Sequence, residues 1–317
     1  MTPAPWHAEP WRKLVARRTQ DRLAHALLLC GAEGLGKRAF AEAFAAALLC
    51  QQPREDGRAC GACRACRLVH AGSHPDLVRV NLGLRDDGKP RTEIIVEQIR
   101  ALSERLGMTP QFGGWQIALI DPADAMNIAA GNALLKTLEE PTPATLLALV
   151  ADAPSRLPAT IRSRCQRIEF HVPTRNDAQG WLVAQKIDSK TAAVALDASG
   201  GNPGLALGWA QSGGLATRDD VAKDLRNLCG GKASAVDIAN RWSKAEAESR
   251  LWFASMLLRT EAQAHARGAV GPLAVARASL ADLVAWFERA NLARTQLRGP
   301  LRPELVLLDA LSAITVR

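Results

Sequence analysis

Up to Pro173, short apolar runs alternate with stretches of helical spacing. Five runs have the length and composition of strands: Ala26 to Cys30 (ALLLC), Asp76 to Val80 (DLVRV), Gln116 to Ile120 (QIALI), Leu146 to Ala151 (LLALVA) and Arg167 to His171 (RIEFH). Between them, Lys37 to Leu49, Glu93 to Leu106, Asn127 to Leu138 and the short stretch Leu157 to Ile161 place apolar residues at helical spacing. Strands separated by helices predict an α/β unit on a mainly parallel, doubly wound sheet, because each parallel pair needs a crossover.

After Pro173 the strand-like runs stop. Thr174 is placed as an N-cap, and Ala, Leu and charged residues dominate from there on. Two glycine-rich breaks, SGGNPG from Ser199 and SGG from Ser212, divide this helical part. The expected organisation is an α/β domain over 1–171, a small helical domain over 172–212 and a larger helical domain over 213–317. In the last, Trp252, Met256 and Arg259 form one stripe at helical spacing, and Leu280, Leu283, Val284 and Phe287 form another. Both are read as core rather than as a ligand box. Pro303 suits the first turn of a final helix.

Composition agrees with a folded chain. The 317 residues are 48% hydrophobic and 23% charged, enough for two or three domains with cores of their own and incompatible with wholesale disorder. No apolar run approaches the ~18 residues of a membrane span, and the first twenty residues lack the apolar stretch of a secretory signal. A cytosolic protein without membrane contact is therefore expected. The net charge of +8 permits nucleic-acid contact, but the charge is spread along the chain rather than gathered in a tail.

Cysteine spacing adds chemistry. Of seven cysteines, four form Cys50-x9-Cys60-x2-Cys63-x2-Cys66, a pattern that in a reducing compartment points to metal ligation before disulfides. The segment GRACGACRACR has almost nothing apolar beyond alanine, so a bound Zn²⁺ would supply the folding energy that a core cannot. Arg54, Arg58, Arg64 and Arg67 could offset the charge of four thiolates. Cys50 is the least secure of the four, since it closes an apolar helix and could be a core residue; His70 and His74 are neighbouring alternatives, although His74, before Pro75, reads rather as a cap or packing residue at the next strand. A closed four-sulfur set would be structural. Cys30, Cys165 and Cys229 read as small buried hydrophobes.

Gly31-Ala-Glu-Gly34-Leu-Gly36-Lys37 lies between the first strand and a helix, which is the context of a phosphate loop. The next position should offer a hydroxyl to Mg²⁺ and instead carries Arg38. The strand IALI ends in the expected Asp121, yet Pro122 follows where a water-activating Glu would stand, and Asp124 is out of register. Two losses in one site point to a nucleotide-type fold without hydrolysis; for binding itself, a merely structural glycine turn stays open. In Ile161-Arg-Ser-Arg164-Cys165, an arginine on a loop could reach the phosphates of a neighbouring subunit, or belong to a solvated or nucleic-acid-facing patch; spacing does not choose. No carboxylate cluster of the kind that two-metal polymerase or exonuclease chemistry needs stands out.

Taken in order, GAEGLGKR, the four-cysteine insert, SHPD (Ser73 to Asp76), NALLKTLEEP (Asn132 to Pro141), TIRSRCQ (Thr160 to Gln166) and GGNPGLAL (Gly200 to Leu207) resemble the delta-prime subunits of bacterial DNA polymerase III clamp loaders, members of the AAA+ (RecA-like) class. The resemblance covers most of the first 210 residues; the helical remainder agrees in length and character. It implies an AAA+ domain, a helical lid and a helical collar, and a hetero-pentamer with delta and gamma or tau subunits. Within that assembly the sliding clamp and primer-template DNA would be met. It further implies that Arg164 acts as an arginine finger in trans, and that Cys50, Cys60, Cys63 and Cys66 hold zinc. Gly31, Gly34, Gly36, Lys37 and Asp121 would line a degenerate nucleotide site that does not hydrolyse ATP with Mg²⁺, and Gly204 stands where active relatives carry a sensor arginine. Catalysis by this chain itself is not expected, any polymerase label belonging to the holoenzyme, and the location implied is the bacterial cytoplasm at the replisome. Two other readings stand behind it: an active AAA+ ATPase of the gamma or tau type, based on Lys37 and Asp121, and a zinc-containing DNA-binding module, based on the arginine-rich insert.

Overall fold

Five parallel strands, β1 (Ala26–Cys30), β2 (Leu77–Val80), β3 (Gln116–Ile120), β4 (Thr145–Ala151) and β5 (Gln166–Glu169), form a sheet of order β2-β3-β4-β1-β5 in the computed structural model. Residues 3–85, 87–275, 278–297, 299 and 301–314 are described. The three central strands are buried along their whole length, as a parallel sheet covered on both faces requires, while the edge strands β2 and β5 are only partly covered. Register runs Leu28 to Leu149 on one side of β1 and Leu29 to Ile168 on the other.

Side chains alternate across this sheet into two apolar layers. Leu27 and Leu29 join Phe40, Phe44 and Trp11, whereas Leu28 and Cys30 join Ile99, Leu102, Leu134 and Leu138. The first layer is built by α1 (Ala8–Thr19) and α2 (Lys37–Leu49), and α3 (Arg64–His70) lies in the cysteine insert. The second layer is built by α4 (Val96–Leu106) and α5 (Ile128–Glu139), with the one-turn α6 (Ala159–Arg162) closing it. This is the expected doubly wound α/β class followed by an all-helical part.

Several boundaries move for local reasons. α4 starts at Val96 rather than Glu93, because fully buried Ile94 is drawn into a parallel bridge with Met126. β5 starts and ends earlier than expected, although the Phe170 amide still donates to the Cys30 carbonyl at 2.8 Å.

The chain divides into two compact units, Met1–Asp177 and Ala178–Arg317. Thr174 caps α7 (Arg175–Ala184), its hydroxyl oxygen accepting from the Asp177 amide at 3.2 Å. The helices that follow are α8 (Ser189–Ala198), α9 (Pro203–Ser212), α10 (Gly214–Cys229), α11 (Ala235–Ser243), α12 (Ala247–Ala266), α13 (Leu280–Gln296) and α14 (Pro303–Ser312). Both glycine-rich breaks are turns: Asn202 caps α9 through the Leu205 amide, and Gly213, at φ +79°, joins α9 to α10. Two apolar clusters fill the unit. A small one gathers Leu182, Ala195, Leu196 and Ala206; a larger one surrounds Trp242, Phe253, Leu258, Leu283 and Trp286.

The two sequence stripes meet the larger core only in part: Leu283 is buried in it, and Trp252 and Phe287 pack against it. Leu280 and Val284 are exposed (42% and 43%), and α13 adds Trp286, Ala290 and Ala293 to the buried side. On α12, Trp252 and Met256 are half-buried and Arg259 is exposed; Leu251, Phe253, Ala254, Leu257 and Leu258 face inward. Trp252 nevertheless has partners, lying 4.3 Å beneath the Arg294 guanidinium. Among the described residues no helix is long and apolar enough to cross a membrane.

Candidate functional site

At the carboxyl end of β1 the chain turns through the glycines into α2. Gly31 lies so close to β5 that a Cβ there would stand 2.4 Å from the Phe170 carbonyl oxygen. Gly36, at φ +82°, would place one 2.8 Å from the His7 ring. Glycine is required at both positions, at Gly31 by the neighbouring backbone and at Gly36 by its left-handed φ and the His7 ring above it.

Its cation is already engaged. Lys37 is buried, and its ammonium donates to the Ala32 carbonyl at 2.7 Å and to Asp152 Oδ1 at 2.5 Å. Asp152 directly follows β4, the neighbour of β1. The adjoining Arg38 donates through Nε to Asp121 at the end of β3, and that bond holds the guanidinium pKa above its ordinary value. Each cation of the loop is thus matched by a carboxylate from a different strand end. An arriving phosphate would have to displace Asp152, and a metal ion would find Asp121 taken by a cation and no hydroxyl on α2.

The loop is also covered. His7 is buried against Phe40 and Phe170, with ring centroids 5.5 and 5.0 Å away. Its Nε2 lies 2.8 Å from the Leu35 carbonyl and its Nδ1 accepts from the Ala4 amide at 3.2 Å, which fixes the neutral Nε2–H tautomer. Burial lowers the His7 pKa, and the bond to Leu35 opposes that shift. Asp124 has a different task from the one considered in sequence: its Oδ2 accepts from the Ala153 amide at 2.9 Å.

The four cysteines of the insert converge. Cys50 ends α2, Cys63 caps α3 and Cys66 lies within α3. The Sγ atoms of Cys50, Cys60, Cys63 and Cys66 lie within 4.8 Å of one another, with Cys50 to Cys63 and Cys60 to Cys66 both at 3.9 Å. A tetrahedron of thiolates ~2.3 Å from a central zinc has edges of about 3.8 Å, so the donor set fits such an ion with little movement. Backbone amides already point at the sulfurs: Cys60 to Cys50, Ala62 and Cys63 to Cys60, and Cys66 to Cys63, at 3.3 to 3.4 Å.

The thiols titrate unevenly. Burial alone would raise Cys63, but amide donors from Cys66 and Gln51 and the neighbouring thiols bring it down to about 6. Burial, reinforced by the bonds and charge of its thiol neighbours, pushes Cys66 up to about 12. His70 is exposed, and His74 spends its Nδ1 on the Asp76 amide and packs on Phe112, so neither imidazole joins the set. Cys165 and Cys229 are pushed up by burial to about 12 and about 11, as core thiols are.

Arg164 follows α6. Its Nη1 donates to the Thr160 carbonyl at 3.0 Å and its Nη2 pairs with Glu139 Oε1 at 2.6 Å, with 38% of the side chain exposed. The next residue, Cys165, turns into the core and anchors the turn. Gly204 is the second residue of α9.

The structure therefore gathers Gly31, Gly34, Gly36, Lys37 and Asp121 at one end of the sheet. It assembles the four cysteines separately and leaves Arg164 on the surface. Sequence reading missed His7, Asp152 and Glu139, since each is a lone polar residue without a spacing pattern; Glu139 at least lay inside a noted motif.

The profile of the family described as "DNA polymerase III, delta subunit" matches residues 6–174. The chain is 39% identical over 241 residues to DNA polymerase III subunit delta' of Pseudomonas aeruginosa, covering 75% of this chain and 71% of that one. It is 34% identical over 262 residues to subunit delta' of Escherichia coli K12, covering 80% and 75%. To subunit tau of Bacillus subtilis it is 33% identical over 151 residues, 48% of this chain and 25% of that one.

Proposed function

Because the chain belongs to the DNA polymerase III delta-prime subunit family, we propose that it is a clamp-loader subunit that hydrolyses no ATP and lends Arg164 to ATP held by a neighbouring gamma or tau subunit. The observation that carries the reading is the self-neutralised phosphate loop. Lys37 is consumed by Asp152, Arg38 by Asp121, and the position after Lys37 offers no hydroxyl to Mg²⁺. A guanidinium on the surface, by contrast, retains donors for a partner. In phosphoryl transfer, negative charge spreads over the equatorial oxygens, and a fixed cation aimed there lowers the barrier without any chemistry of its own.

On this reading residues 1–171 are an AAA+ domain, 172–212 a lid and 213–317 a collar that joins the other subunits of a hetero-pentamer, including delta. The sliding clamp and primer-template DNA are met through that assembly, in the bacterial cytoplasm. Cys50, Cys60, Cys63 and Cys66 would hold Zn²⁺, which when bound supplies folding energy to an insert with little core; the nearby arginines offset the residual charge of the thiolates.

Reconstitution tests it. With Arg164→Ala in an otherwise intact complex, clamp-stimulated ATP turnover should fall sharply, and unchanged turnover refutes the reading. ATP turnover by the purified chain alone, lost on Lys37→Ala, would instead favour an active ATPase of the gamma or tau type.

A further inference from the structure

The motif NALLKTLEEP has so far no task, yet it occupies the last two turns of α5 and ends beside Arg164. α5 packs closely on the turn that carries this arginine: a Cβ on Gly131 would meet Ile161 Cδ1 at 3.5 Å and Pro158 Cγ at 3.6 Å. Ile161 and Leu157 are buried in the same apolar layer as Leu134 and Leu138. The α5 terminus and the arginine turn are thus held by one core.

From that frame two acceptors reach the guanidinium. Glu139 takes Nη2 at 2.6 Å, and the Thr160 carbonyl, which also accepts from Ser163 Oγ at 3.1 Å, takes Nη1 at 3.0 Å. A guanidinium has five N–H donors in a rigid plane, so two fixed donors set the direction of the other three. Without the carboxylate, a side chain with four rotatable bonds would keep one tether and sample many rotamers.

We infer that Glu139 is a positioning residue for Arg164, holding its guanidinium plane so that the unused N–H edge faces outward before a partner's phosphates arrive. The inference rests on the reading of Arg164 as a trans-acting cation. Glu139 is half-exposed (49%), so water screens the pair and the guanidinium keeps most of its positive field toward an incoming polyanion. The opposite role, a latch that withholds the arginine, would need a stronger, drier pair than this one.

The assay is clamp-stimulated ATP turnover by the complex assembled with this full-length chain, comparing parent, Glu139→Ala, Glu139→Gln, Arg164→Ala and the double alanine variant. Glu139→Ala should lower kcat about two- to five-fold, the population that an exposed ion pair can hold, with KM for ATP unchanged. Glu139→Gln keeps an acceptor oxygen and should recover part of the loss, and Glu139→Ala should cost nothing further once Arg164 is alanine. The unfolding midpoint of each variant provides a folding control. Unchanged or faster turnover in Glu139→Ala overturns the inference, as does a full extra loss in the double variant. Arg164→Ala without effect would bring down the underlying reading as well, and so separates the two failures.

Discussion

The ion pair at the phosphate loop is lopsided, and its two halves should not cost the same to remove. Lys37 has 3% of its side chain exposed and Asp152 has 40%. In Asp152→Ala the ammonium stays buried with only the Ala32 carbonyl as acceptor. Breaking a fully buried pair costs about 3 to 5 kcal/mol, and water entering from the Asp152 side should reduce this to about 2 kcal/mol. In Lys37→Met the stem volume is kept, the charge is gone, and Asp152 can hydrate where it stands. The remaining loss is one donor to the Ala32 carbonyl, about 1 kcal/mol or less. Amide hydrogen exchange of peptides from β1 and α2 in the full-length chain reads this directly, because opening of the first unit is seen apart from the second. About 2 kcal/mol corresponds to roughly 30-fold faster exchange, against about five-fold for Lys37→Met. Equal acceleration in the two variants, or a larger effect of Lys37→Met, would refute the reasoning from exposure.

Acid should weaken the first unit through its buried imidazoles. Burial lowers the pKa of His7 and His74 below the ordinary 6.5, so between that value and their folded values the unfolded chain binds protons that the folded chain does not. Stability is therefore full above about pH 6.5 and declines as the pH falls toward 5.5; urea midpoints should show a slope that flattens in a His7→Asn, His74→Asn variant, and a slope as steep as the parent's would count against it. At the cysteine cluster, Cys63→Ser should reduce the bound zinc measured by elemental analysis and speed amide exchange in α3, while Cys229→Ser changes neither.

How much of this was legible from residues alone depended on whether a feature was continuous. β1, β3 and α2 have the bounds expected, because each is an unbroken apolar or periodic run ended by Gly, Pro or polar residues. The four cysteines were equally plain, and the geometry brings Cys50 into the cluster although its place at the end of an apolar helix allowed a core role. α1 went unread, because arginines surround its inward Trp11 and Leu14, and within the helical remainder α11 received no bounds, being short with its single tryptophan near the end. The stripes on α12 and α13 were legible only in part. Leu283, Trp252 and Phe287 do meet the core, but large residues alone misplace the centre of the face: Leu280 and Val284 fall outside it, while the small Ala290 and Ala293 take inner positions. Asp152 and Glu139 acquire meaning only from what lies opposite them in space.

One helix ties two of these places together. α2 begins at Lys37 on the phosphate loop and ends against Cys50 in the sulfur cluster, about 20 Å away. A helix of thirteen residues is marginal by itself and unravels from whichever end is loose. Here burial does the holding, since Phe40, Phe44, Leu48 and Leu49 all lie in the apolar layer beneath the sheet. The helix is therefore a rod seated along its whole length, and any slide of it along its axis would be felt at the glycine turn and at the sulfurs together.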